Sequence, residues 1–128
     1  MRRSVMRSSI LINAMSLFIL SLIIFGCSSG KETKTTEDLF NKLAEIRRIG
    51  EERNTKEVKY LVREFETSNS DVVRIEAANA LGKIGDPRAI PALERSLRIE
   101  KKQNILSAAE SALESIQQQM EKAEKEKK

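Results

Sequence analysis

The chain predicts an all-α protein, a short solenoid of about five helices, on three observations. From Glu37 to Ile116 the apolar residues recur at helical spacing, with none of the strict alternation of strands. Only two prolines stand in 128 residues. An Ile/Ala/Leu pattern also returns after 32–35 residues with two helices per unit, the period of stacked helical repeats.

Residues 1–26 read as an export signal. Arg2, Arg3 and Arg7 make a positive head, the run from Ile10 to Phe25 is largely apolar, and the chain turns polar at Ser28-Ser29-Gly30 just after Cys27. The run is 16 residues long, short of the roughly 20 that a bilayer span requires. An uncleaved anchor is the alternative reading. Either way the arginines keep the N-terminus inside and place residues 28–128 beyond the membrane.

Residues 27–36 are expected to form a flexible tether, since Ser28 to Thr36 holds no apolar side chain. Nine extended residues reach at most ~30 Å. The repeat domain spans 37–120. Its first stripe is Leu39, Leu43, Ile46 and Ile49, and its second Val58, Leu61, Val62 and Phe65. Val73, Ala77, Ala80, Leu81 and Ile84 make the third, and Ile90, Leu93 and Leu97 the fourth. Ile105, Ala109, Ala112, Leu113 and Ile116 complete the set. Between the third and fourth, Gly85 suits a left-handed helix end, Asp86 a cap and Pro87 a first turn. Ser68-Asn69-Ser70-Asp71 offers caps before Val72. The Lys/Glu tail, 121–128, reads as a solvated helix end.

Composition narrows the function. Three of the 23 basic residues lie in the signal and none of the 19 acidic ones do, which leaves 20 against 19 and a net charge of +1. Nucleic acid is therefore not an expected partner, because phosphate binding needs clustered positive charge. The chain has no His, no Trp and no Cys beyond Cys27 at the end of the signal run. The common acid–base, metal and thiol groups are missing, so no catalytic residue, metal or cofactor is expected, and the chain does not read as an enzyme.

Ile24-Phe25-Gly26-Cys27 resembles the lipobox of bacterial lipoproteins, although Phe25 is bulky for its place. The resemblance implies that Cys27 is diacylated on sulfur and becomes the first residue after cleavage. It also implies a lipid-anchored envelope protein. Ser28, in place of an inner-membrane-retaining Asp, leans this expectation toward the outer membrane.

Val-Arg-Ile-Glu-Ala-Ala-Asn-Ala-Leu-Gly-Lys-Ile-Gly-Asp-Pro-Arg-Ala-Ile-Pro-Ala-Leu, from Val73 to Leu93, resembles the HEAT-like repeat of the phycobilisome-lyase type. That likeness implies a short right-handed α-solenoid. A shift of 32 carries Val73, Ala77, Ala80, Leu81 and Ile84 onto Ile105, Ala109, Ala112, Leu113 and Ile116. A shift back by 35 carries Ile84 and Gly85 onto Ile49 and Gly50. The order is then an inner helix followed by two outer–inner pairs.

On this alignment the central inner helix has two apolar sides: Val73, Ala77, Ala80 and Ile84, then Ile75, Ala78 and Gly82. The first inner helix replaces the former with Asp38, Lys42, Glu45 and Ile49, and keeps Phe40, Leu43 and Arg47 for the latter. The last sets Ser107, Glu110 and Glu114 where a further repeat would stack. Polar ends predict a monomer. The third side reads Asn41, Ala44 and Arg48, then Glu76, Asn79 and Lys83, then Ala108, Ser111 and Ser115. In resembling proteins that surface meets partners, so Arg48, Glu76, Asn79 and Lys83 are the expected contacts, with an ordinary solvated face as the bland reading. Arg74 matches an arginine that joins repeats in relatives.

The expected function is a lipid-anchored scaffold or protein-interaction module. An accessory assembly or stability factor of a larger envelope complex is the alternative. A lyase-type enzyme subunit is the least favoured reading, since a broad helical surface offers no enclosed pocket.

Overall fold

The computed structural model describes residues 32–128; the signal reading and Cys27 fall outside them. Chain contacts divide the molecule into Met1–Asp38 and Leu39–Lys128, and the second unit carries the repeats. Five α-helices form among the described residues: α1 Glu32–Glu51, α2 Val58–Thr67, α3 Asp71–Ile84, α4 Ile90–Ile99 and α5 Gln103–Glu126. Two 3-10 turns, Thr55–Glu57 and Pro87–Ala89, lead into α2 and α4.

α1 begins five residues inside the segment expected to be a tether. No Gly or Pro stands between Lys31 and Ile49, so nothing in the sequence halts propagation toward the N-terminus. At the other end the tail continues α5 to Glu126 as an exposed helix, as its composition suggested.

α3 packs against α2 and α5, and α4 packs against α5. Gly50 of α1 meets Ala80 of α3, so α1, α3 and α5 form the inner series and α2 and α4 the outer. Ile46, Leu61, Phe65, Leu81, Leu93, Ile105 and Ile116 are fully buried between them. Ser70 caps α3 by accepting from the Val73 N–H, and Gly85 closes it at φ 74°. Asp86 then accepts from the Arg88 N–H as the cap of the second 3-10 turn.

The repeat register is a constant 32 residues, which corrects the shift of 35 expected for the first helix. Arg53 at φ 49° takes the left-handed place that Gly85 takes one repeat later. Asn54 caps the first 3-10 turn as Asp86 caps the second. Gly50 meets Ala80 as Gly82 meets Ala112. The sequence paired Gly50 with Gly85 as helix ends, but Gly50 lies inside α1 and serves close packing instead.

Three residues amount to nearly one helical turn, so the correction rotates α1 by about 60°. Its partners for Val73, Ala77 and Ala80 become Asn41, Glu45 and Arg48, all exposed. Its partners for Ile75, Ala78 and Gly82 become Leu43, Ile46 and Gly50, all buried. The first inner helix thus is polar on one side as expected, with Glu45 kept but Asn41 and Arg48 in place of Lys42 and Ile49. Ile49 is core, Lys42 points to the outer layer, and Phe40 is 69% exposed. Ser107, Glu110 and Glu114 on α5 are exposed, matching expectation.

Candidate functional site: the inner helix face

With the register at 32, three rows cross the inner helices: Ala44, Glu76 and Ala108; Arg47, Asn79 and Ser111; Glu51, Lys83 and Ser115. Glu76, Asn79 and Lys83 are brought together on α3 as expected. Arg48 is not with them. It lies on the polar side of α1 and donates to Glu52, just past the end of that helix, at 2.8 Å.

Glu51 takes the place beside Lys83 that was expected for Arg48, and Arg47 supplies the guanidinium of this face from the row of Asn79. Its Nη2 donates to the Glu76 carboxylate at 2.7 Å, and the carboxylate raises the guanidinium pKa further above its usual value. One row on, Lys83 Nζ lies 3.9 Å from Glu51. Both ion pairs join α1 to α3. Between α3 and α5 the link is uncharged: Ser115 Oγ and Gln119 Nε2 donate to the Gly82 carbonyl at 3.0 and 2.8 Å. That carbonyl belongs to the last turn of α3, where helix acceptors lack intrahelical donors.

Sequence reasoning missed two residues at one rim of this face. Phe40 and Val72 are 32 apart, hold equivalent positions on α1 and α3, and are 69% and 51% exposed. Each lies four residues before a member of the first row, on the same helix side. Their signal was available in the 32-residue spacing, but the shift of 35 had assigned Phe40 to packing.

Arg74 is structural, as its resemblance implied. Its Nε donates to the Phe65 carbonyl at 2.8 Å, and its Nη1 lies 2.6 Å from Glu100 Oε2. The guanidinium also sits 5.8 Å from the Phe65 ring centre. Glu100 accepts the Lys101 and Lys102 backbone N–H groups at 2.8 and 3.0 Å. Those N–H groups, and then Arg74, hold its carboxyl down to about 2. Lys42, one repeat before Arg74, plays a kindred part by donating to Glu64 at 3.0 Å.

Among the described residues no three His, Cys, Asp or Glu side chains converge as a metal site, and no helix is long and apolar enough to cross a membrane. What the inner face offers is a shallow array of donors, acceptors and two exposed apolar side chains. Residues 41–114, more than half of the chain, match the family model described as HEAT repeats. No curated protein and no solved structure matches significantly.

Proposed function

Because this chain belongs to the HEAT-repeat family, we propose that it is a lipid-anchored protein-interaction module of a bacterial cell envelope. Cys27 holds it to the membrane, and the inner face of α1, α3 and α5 contacts another protein. The observation that carries the contact is the pairing of exposed Phe40 and Val72 with the polar rows beside them. A few apolar anchors beside hydrogen-bonding groups suit a reversible protein interface. The anchor rests on the position of Cys27 at the apolar-to-polar boundary. Several acyl chains would hold the protein where a single one binds only marginally.

Asn79 is the clean place to test the contact, because Glu76 and Lys83 are tied to α1 and their charge reversal would disturb packing as well. A photo-crosslinking residue at Asn79 should yield a discrete protein adduct in cells, while one at the exposed Glu94 on outer helix α4 should not. Equal adducts from both sites would place the contact elsewhere. Separately, Cys27→Ala should abolish labelling by a fatty-acid analogue and leave a longer precursor; unchanged labelling would refute the anchor alone.

A further inference from the structure

A cleft of about 350 Å³ lies between the C-terminal end of α2 and the length of α4, with Arg74 of α3 also lining it. Phe65, Ala92 and Ile99 give it apolar walls, and Ser96 also lines it. Ser96 is 6% exposed, and its hydroxyl has no hydrogen-bond partner. A buried hydroxyl without a partner is uncommon, because its desolvation is uncompensated.

The repeat explains how the orphan arises. Ser96 occupies the place that Glu64 holds 32 residues earlier, and there Lys42 satisfies the carboxylate. The cation equivalent to Lys42 is Arg74, which is drawn instead to the Phe65 carbonyl and Glu100. The second repeat therefore lacks the group that closes the first.

We propose that this cleft binds an uncharged peptide residue of a partner protein. Its apolar side chain lies against Ala92 and Ile99, above the buried Phe65, and its backbone carbonyl accepts from the Ser96 hydroxyl. Charge decides the occupant. The two cations lining the cleft are matched by two anions, Arg74 with Glu100 and Arg95 with Glu66, each pair at 2.6 Å. No net charge remains to reward an ionised ligand, whereas the orphan hydroxyl rewards a neutral acceptor. Its volume falls within the range of small ligand sites. Because the hydroxyl is out of reach of water, the rim opens to admit the carbonyl, while Ile99, 70% exposed, stays as a wall. The site is separate from the inner face and does not depend on it.

The probe is N-acetyl-leucine methylamide, titrated into the full chain in detergent and followed by amide NMR. Saturable shifts at Phe65, Ser96 and Ile99 in the millimolar range are expected for so small a ligand. Ser96→Ala should melt higher, since it removes an unsatisfied hydroxyl, yet bind up to about tenfold more weakly. Ile99→Ser, at an exposed position, should keep the melting temperature and weaken binding. No saturable shift at these amides, or undiminished binding by Ser96→Ala, would overturn the proposal. Binding of the ionised free acid as tightly as the amide would overturn the uncharged assignment, and equal binding of octanol would assign the cleft to lipid.

Discussion

Gly50 of α1 rests directly on Ala80 of α3: a Cβ at Gly50 would come within 2.9 Å of both the Cα and the Cβ of Ala80. Gly82 repeats the arrangement on Ala112, where the nearest approach is 3.0 Å to the Cα. The inner helices are held close because a hydrogen replaces a methyl at each crossing. In Gly50→Ala the methyl must push backbone against backbone. A net loss of about 1–3 kcal/mol is expected, even though alanine favours a helix by about 1 kcal/mol over glycine. Urea denaturation decides the matter; a variant as stable as the parent would mean that the helices can spread freely.

Arg53 and Gly85 end α1 and α3 in the same left-handed conformation, but only one of them is the residue suited to it. An L side chain there costs roughly 1–2 kcal/mol, partly offset by the greater chain freedom that glycine loses on folding. Arg53→Gly should therefore stabilise the domain by about 0.5–1 kcal/mol. Gly85→Ala should do the reverse, since an L side chain at φ 74° strains the backbone whatever room Gln119 leaves it. Paired thermal melts would show the opposite signs.

Leu81 is fully buried on the helix that packs against both α2 and α5. Truncation leaves a cavity that two rows of helices cannot both collapse into. Leu81→Ala should cost about 2–5 kcal/mol, a large share of the ~5–15 kcal/mol that holds a small domain. A loss below ~1 kcal/mol in chemical denaturation would contradict the packing.

Glu100 introduces a pH dependence of known sign. Its folded carboxyl titrates at about 2 against an ordinary 4.5. A depressed acid contributes stability that is fully present above the unfolded value and is lost as pH falls toward the folded one. Stability should decline between about pH 4.5 and pH 2 as the contacts with the Lys102 and Lys101 N–H groups and with Arg74 weaken. Glu100→Ala should be less stable near neutrality and show a shallower decline over that window. Parallel declines would assign the acid sensitivity to other carboxylates.

Helices and turns were legible from neighbouring residues. Gly85-Asp86-Pro87 carries its own chemistry for ending one helix and capping the next turn, and the apolar stripes mark the buried sides. Polar ends were legible too, because Ser107, Glu110 and Glu114 stand where the central helix has Ile75, Ala78 and Gly82. These are local signals, and helix formation responds to local spacing and caps.

An all-α chain of stacked repeats, with a central helix that buries two sides, follows from the order of residues alone. The register of the first helix emerges only when the helices pack. A glycine reads alike whether it ends a helix or lets another backbone approach, and nothing in Arg53 announces a left-handed turn. The ties from Lys42 to Glu64, Arg47 to Glu76 and Arg74 to Glu100 span 22, 29 and 26 residues. Such pairings depend on how helices settle against one another. Packing fixes that through close contacts such as Gly50 on Ala80, and a one-turn slip there reassigns which side chains face a partner.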